Sequence, residues 1–173
     1  YQLGRMRSKP DGAWMPVAAE QYFSYTQPGF IWLADVRMAP GIHMAGRDKY
    51  MDGHGHMLIK LLSLIPVVDS KGEEIDQGTM LRFLAEIIWA PSAALEPYLA
   101  WEEIDSTSAR VTMTCKGLSA TGVFRYNTAG DVTEFEAQRY YFRKEGSTLE
   151  TWHIHMEEGS YKEFQGIRMP AKS

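Results

Sequence analysis

The stretch "FIWLADVRMAPGIHMAGRDKYMDGHGHMLIKLLSLIPV", residues 30–67, decides the fold class. Its alternating or apolar runs are separated by the turn signals "APG" and "MDG" about every ten residues, which is typical of an antiparallel β-meander. It predicts strands over "FIWLADVRM", "HMAGRDKYM" and "HGHMLIKLLSLIPV". The pattern continues and predicts six more strands, over "AWEEID", "ARVTMTCKG", "LSATGVFRYN", "DVTEFEAQRYYFR", "TLETWHIHMEE" and "YKEFQGIRMP".

The run "GHMLIKLLSLIPVV" differs from its neighbours because it is apolar nearly throughout. Such a strand is expected to be covered on both faces. The best cover is a helix over Thr79–Trp89, whose broad apolar face carries Met80, Leu81, Leu84, Ile87 and Ile88. Its narrow polar stripe carries Thr79, Arg82 and Glu86, flanked by Trp89. The predicted fold class is mostly β (α+β), a curved antiparallel β-meander or half-barrel wrapped around a central helix.

Other local signals predict smaller features. "PVAAEQYFSY", from Pro16 to Tyr25, begins with proline and is followed by Pro28, which favours a second helix. Within "APSAALEPYL" a short helix capped by Ser92 is expected. Gly130 in "NTAGD" and Gly146 in "KEGS" supply the positive φ that short hairpin loops require.

Alternation within the later strands indicates one buried and one exposed face. Val111, Met113 and Cys115 alternate with polar residues, so Cys115 is expected to be a thiol in the core. The many aromatic and methionine side chains fit either an ordinary core or an adaptable hydrophobic pocket. The candidates for core or pocket wall are Trp32, Met44, Met57, Trp89, Trp101, Phe124 and Trp152.

Size and composition limit the function classes. The 173 residues suit a single domain over 1–173, and the net charge of -4 argues against a nucleic-acid partner. The sequence contains no run of about 18 apolar residues, so it predicts no membrane-spanning helix within these residues. The common nucleotide-binding, hydrolase and redox motifs do not occur, so no cofactor is expected. Because the chain begins at Tyr1 rather than at Met, we expect a segment upstream to be missing, and localisation stays open.

Several segments together resemble an uncharacterised family of prokaryotic proteins. They are "GAWMPVAAEQYFSYTQPGFIW", "GRDKYMDGHGHM", "IDQGTMLRFLAEIIWAPSAAL", "WEEID", "ATGVFRYNTAGDVTEFEAQRYYF" and "YKEFQGIRMP". The resemblance covers most of the chain and implies membrane-spanning segments ahead of the domain and further strands after it, so that the single domain over 1–173 would be truncated at both ends. The chain would then be anchored in a membrane, on its extracytoplasmic face. In pattern, the meander with one helix also resembles the lipoprotein-carrier architecture, which implies a cavity for acyl chains.

Arg82 and Glu86 lie one helical turn apart and can form an ion pair. Such a pair can clamp the helix to neighbouring strands, anchor a ligand head group or take part in catalysis. Possible partners are Arg47, Asp48, Arg139 and Tyr141. With Trp89 and Trp101, the residues Arg82, Glu86, Arg47, Arg139 and Tyr141 form the predicted ligand-binding set, and no residue is assigned to catalysis.

Two H-x-H pairs, His54 with His56 and His153 with His155, are candidate metal ligands. Alternate residues of a strand point to the same side, so each pair can present two imidazoles to one ion. On adjacent strands the two pairs would supply four nitrogen ligands. The alternative interpretation is that they are exposed strand histidines.

These features favour a non-enzymatic module that binds a lipid or other hydrophobic small molecule in the concave face of a half-barrel. One alternative is an enzyme that uses Arg82 and Glu86 together with a histidine-bound metal. The other is a structural or partner-binding domain of a membrane assembly, whose sheet edges pair with further strands.

Overall fold

A computed structural model of the chain describes residues 1–7, 9, 11–143 and 146–173. The chain divides into two compact units, Tyr1–Thr79 and Met80–Ser173, which are described one at a time. The helix α1, Glu73–Glu86, begins in the first unit and ends in the second. Both units are built on antiparallel sheets, so the predicted mostly-β class is confirmed.

The first unit is a six-stranded meander in which every strand pairs with its neighbours in sequence. Its strands are β1 Gln2–Met6, β2 Met15–Ser24, β3 Gly29–Ala39, β4 Ile42–Met51, β5 His54–Leu61 and β6 Ile65–Ser70. One face of this sheet contributes the buried side chains of Ala19, Phe30, Ala34 and Tyr50. Together with the first turns of α1, they form the core of this unit.

The contact between β5 and the start of α1 is very close. The backbone N–H of Gly55 donates a hydrogen bond of 2.6 Å to the Asp76 carboxylate. A Cβ at Gly55 would lie 2.6 Å from the carbonyl oxygen of Ile75 and would also clash with the Thr79 hydroxyl. Glycine is therefore required here because the helix backbone approaches the strand directly.

The second unit contains a five-stranded sheet in the order β11-β10-β9-β8-β7 and a separate hairpin, β12-β13. The strands are β7 Leu99–Asp105, β8 Ser108–Cys115, β9 Leu118–Tyr126, β10 Val132–Arg143, β11 Gly146–His155, β12 Tyr161–Phe164 and β13 Ile167–Pro170. Buried Phe124 and Phe135 lie 4.8 Å apart between ring centroids, and Trp101 and Trp152 extend this row at either end. This aromatic row is the core side of the sheet.

The helix predicted over Thr79–Trp89 is longer than expected at its N-terminus. It begins at Glu73 and ends at Glu86, and Ile87–Trp89 continue as a 3-10 helix. The predicted apolar face is buried, from Met80 to Ile88. Thr79, which was predicted on the polar stripe, is buried too, and its hydroxyl is satisfied by a hydrogen bond of 2.8 Å that it donates to Ile75 O.

The predicted helix over Pro16–Tyr25 is wrong, because this segment is strand β2. β2 pairs with β1 on one side and with β3 on the other. Ladder hydrogen bonds on both edges outweigh the weak helical preference of the alanine and glutamate residues. The strand β1 was not predicted.

Two segments that were each predicted as one strand form hairpins of two strands, β5 with β6 and β12 with β13. "HGHMLIKLLSLIPV" turns at Leu62 and Ser63, both with positive φ, and Leu64 in that turn is 78% exposed. The apolar run therefore does not indicate coverage on both faces. "YKEFQGIRMP" turns at Gln165 and Gly166 in the same way.

Three local predictions have different outcomes. The short helix after "WAP" is a 3-10 helix, Pro91–Leu95, and the residue at its N-cap is Ala90 rather than Ser92. Val111 and Met113 are buried as predicted, whereas Cys115 is only half-buried. Gly130 and Gly146 have the predicted positive φ, although residues 144–145 of the "KEGS" loop lie outside the described residues.

Candidate functional site

The site is built on the face of the first sheet opposite the one that meets α1, here called the open face. Residues directly opposite each other in an antiparallel sheet point to the same side, and so do alternate residues of one strand. The register of β2, β3, β4 and β5 therefore places two neighbouring rows on the open face. They are Glu20, Leu33, Arg47 and Leu58, and Ala18, Asp35, Ala45 and Lys60.

An open groove of about 420 Å³ lies over these two rows. A second groove of about 920 Å³ shares Tyr1, Ala18 and Asp35 with it and extends toward the turn between β3 and β4. Pockets of about 300–1,000 Å³ are the usual size for small-molecule sites. The open face of the first sheet thus offers space for a ligand along its length.

Apolar and charged side chains alternate along both rows that line the groove. Ala18, Ala45, Leu33 and Leu58 supply apolar surface, and Leu33 is 42% exposed. The acidic residues Glu20 and Asp35 belong to β2 and β3, whereas the basic residues Arg47 and Lys60 belong to β4 and β5. The groove is therefore bipolar, with an acidic and a basic side.

Arg47 is held in place by a chain of hydrogen bonds. Its Nη2 donates to Nδ1 of His56 over 2.9 Å, and Nε2 of His56 lies 2.7 Å from the Asp69 carboxylate. Because arginine can only donate, the Nδ1 of His56 accepts and its Nε2–H donates to Asp69. The hydrogen bond from His56 also lowers the pKa of Asp69. This chain orients the guanidinium before any ligand arrives.

The predicted pair of Arg82 and Glu86 forms on α1. Arg82 Nε donates to Glu86 Oε1 over 2.8 Å, and the two side chains are only 16% and 14% exposed. Trp89 donates its indole N–H to Pro170 O over 2.9 Å. Trp89 thus connects the end of the helical region to β13 within the second unit.

The remaining predicted ligand-binding residues are spread over the second sheet. Trp101 donates its indole N–H to Ala94 O over 3.0 Å, and Arg139 stacks 4.8 Å above the Trp152 ring. Tyr141 is 56% exposed. Of the predicted ligand-binding residues, Arg47 is the one that the structure brings to the groove.

The histidine pairs have different surroundings. His54 Nδ1 lies 3.2 Å from the Asp76 carboxylate, and both ring nitrogens of His56 are engaged by Arg47 and Asp69. His153 and His155 lie side by side on β11, next to Glu134 of β10. The two H-x-H pairs lie on strands of different sheets, β5 and β11, and so are not on adjacent strands as the four-nitrogen site requires.

Sequence reasoning did not identify the groove residues Glu20, Leu33, Asp35, Leu58 and Lys60, nor Glu134 beside the histidines. The information needed to predict that these residues share a face was present in the turns of the sequence. The short connections after β3 and β4 fix the register of the strands, and register decides which residues share a face.

Fold and site together define a class of protein: an antiparallel β protein with an amphipathic, bipolar groove on one sheet. A family model described as a family of unknown function, DUF6544, matches residues 1–173, and the chain belongs to that family. The expected membership of an uncharacterised family is confirmed. The search of curated proteins found no match, and neither did the search of solved structures.

A separate observation concerns α1 and the two 3-10 helices. In the described part of the chain, no helix has the length and apolar character needed to cross a membrane.

Proposed function

We propose that the first unit binds an amphipathic lipid without chemical conversion, in the groove over β2, β3, β4 and β5. The observation that carries this proposal is the bipolar groove of about 420 Å³, in which apolar side chains lie between the charged ones. The ligand class that fits it best is a lipid with a zwitterionic head group, such as phosphoethanolamine. The proposed binding site is the open face of the sheet rather than a cavity around the helix.

The apolar part of the lining supports an acyl chain as one portion of the ligand. Leu33 is well exposed without a ligand, and its neighbour across β4 on the same face is Leu58. Covering a fully exposed leucine side chain contributes about 1.5–3 kcal/mol, and Leu33, which is 42% exposed, can gain somewhat less than half of this. Ala18 and Ala45 have small side chains, so a chain can approach the sheet closely between the larger residues.

The charged sides support a head group that carries both signs. A guanidinium is well suited to a phosphate because its N–H groups form parallel hydrogen bonds with two oxygens. Arg47 is already oriented by His56, so binding orders fewer side-chain rotamers. Glu20 and Asp35 on the opposite side supply carboxylates for an ammonium group.

The experiment compares lysophosphatidylethanolamine with a monoacylglycerol of the same chain, both below their micelle concentrations, by native mass spectrometry and calorimetry. We expect one lipid per chain and tighter binding of the zwitterionic lipid. Arg47→Gln should remove this preference while the protein still binds the uncharged lipid. Arg5→Gln, the same charge change on exposed β1 outside the groove, should leave the preference unchanged.

A second pair of variants tests the apolar contact. Leu33→Gln should weaken binding of both lipids about fivefold, since about 1 kcal/mol of apolar contact is lost. Leu64→Gln, an equal change in the exposed turn between β5 and β6, should have no effect. Absence of lipid binding in the unmodified protein would contradict the proposal, and so would equal losses in Leu33→Gln and Leu64→Gln.

A further inference from the structure

A second cluster of potential ligands lies on the sheet of the second unit. His153 and His155 are alternate residues of β11, and Glu134 of β10 is the direct cross-strand partner of His155. Alternation and pairing therefore put all three side chains on the same face. The strand β11 is at the edge of this sheet, so the cluster can be reached from solvent.

The donor atoms of the three side chains are close together. His153 Nδ1 lies 2.6 Å from Glu134 Oε1. The two imidazole rings are parallel within 3°, with their centroids 5.8 Å apart. One ligand atom from each residue lies within 4.8 Å of the other two, and the three residues are half-buried or exposed. A tetrahedral zinc ion holds its nitrogen and oxygen ligands about 3.4 Å apart, so small side-chain rotations bring this set into position.

We propose that Glu134, His153 and His155 form a binding site for a divalent transition metal of the zinc class. Imidazole nitrogen selects zinc, copper, nickel or iron over magnesium and calcium, which prefer oxygen. Two histidines of an H-x-H strand with a third ligand on the neighbouring strand give a three-ligand set. Such a set leaves coordination positions open toward solvent.

Arg125 acts as a positioning residue for the carboxylate ligand. Its Nε lies 3.8 Å from Oε2 of Glu134, whereas the other oxygen of that carboxylate faces His153. Its Nη2 also lies 3.5 Å from Glu136, so two carboxylates accompany one guanidinium at this place. The local charge is therefore negative, and a partner that orients a metal-binding carboxylate strengthens the site.

The other H-x-H pair provides a matched control. In His56 the lone pair of Nδ1 accepts the hydrogen bond of Arg47, and Nε2 is bound to Asp69, so neither nitrogen is available to a metal. Among the residues that the structure describes, only Glu134, His153 and His155 bring three such ligands within reach of one ion. The H-x-H spacing alone is thus not enough, and the third ligand distinguishes the two pairs.

The test uses the chelator-treated full chain, titrated with Zn²⁺ by calorimetry and with Co²⁺ by visible absorption. We expect one ion per chain and the strong absorption bands of cobalt in a site of low coordination number. The double variant His153→Ala/His155→Ala should lose this binding. Glu134→Gln should weaken it at least about tenfold, the lower end of the loss seen when even a supporting group of a metal site is removed. His54→Ala/His56→Ala should bind as the unmodified chain does.

Circular dichroism shows whether each variant is folded. Because Glu134→Gln keeps the size and shape of the side chain, it carries the test if the double histidine variant does not fold. Unchanged Zn²⁺ affinity in Glu134→Gln would overturn the proposal. Loss of binding in His54→Ala/His56→Ala, with binding retained in the other variants, would overturn it too.

Discussion

Asp131 binds Arg168 through two parallel hydrogen bonds, of 2.8 and 2.7 Å. The guanidinium also lies 5.3 Å from the centroid of the Tyr161 ring, so one residue of β13 contacts both the turn before β10 and strand β12. The hydrogen bonds from Arg168 hold the pKa of Asp131 below its usual value. This ion pair, together with the hydrogen bond of 3.0 Å from the Tyr161 hydroxyl to Val132 O, fastens the C-terminal hairpin to the five-stranded sheet.

This pair predicts a pH-dependent stability. Because the folded-state pKa of Asp131 is lowered, its contribution is present above the unfolded pKa of about 3.9 and is lost as the pH falls further. Asp131→Asn should lower the melting temperature at pH 7, and the difference from the unmodified chain should shrink below about pH 4. Glu157→Gln, at the exposed pair with Lys172, should show little difference at any pH. If the difference in melting temperature between Asp131→Asn and the unmodified chain is the same at low pH as at pH 7, the ion pair is not its cause.

The pair of Arg82 and Glu86 gives a second prediction for single residues. Both side chains are mostly buried, so removing one charge takes the attraction of this ion pair away from the other charge in a poorly hydrated place. Glu86→Gln should lower the free energy of unfolding by about 1–3 kcal/mol. Glu102→Gln, at the exposed pair with Arg110, should cost less than about 1 kcal/mol. Denaturant unfolding of both variants measures this, and equal costs would show that burial of the pair does not matter.

The close packing of α1 against β5 is tested through glycine. Gly55→Ala should destabilise the protein by about 1–3 kcal/mol, because its Cβ would meet the helix backbone at Ile75. Gly4→Ala on β1 is the control, since a Cβ there has open space within 4 Å. Thermal unfolding of the two variants compares them. Similar melting temperatures would mean that the helix does not approach the strand so closely.

An element could be predicted when the residues that determine it lie within its own sequence, and not when pairing with distant strands determines it. Alternation in β8 identified the burial of Val111 and Met113 correctly, because one face of that strand packs on the core. Pro16–Tyr25 was assigned to a helix, because pairing with both β1 and β3 is not visible in its own residues. Likewise, the turn at Leu62 and Ser63 uses residues that carry no turn signal, and tertiary pairing imposes their positive φ.

At the scale of the whole molecule, both candidate sites depend on strand register. Arg47, His153 and His155 were found from residue type and spacing, but their partners were not. Glu134 could have been predicted from the sequence, because the strands of a hairpin pair in a fixed order. Counting outward from the pair Arg143 and Gly146 places Glu134 opposite His155. The pairing of β5 with β6 has a bulge between Ile59 and Lys60, which shifts the register by one residue. Counting residues from the β5–β6 turn therefore does not predict that Asp69 pairs with Leu58, which is next to His56 on the same face.

The most direct test of lipid binding is a map of the ligand on the first unit. Amide resonances of ¹⁵N-labelled protein are followed while lysophosphatidylethanolamine is added below its micelle concentration. The account predicts saturable shifts concentrated on β2, β3, β4 and β5, with the largest around Leu33 and Arg47. In Leu33→Gln these shifts should saturate only at a higher lipid concentration. Unchanged spectra, or shifts confined to residues 80–173, would contradict it.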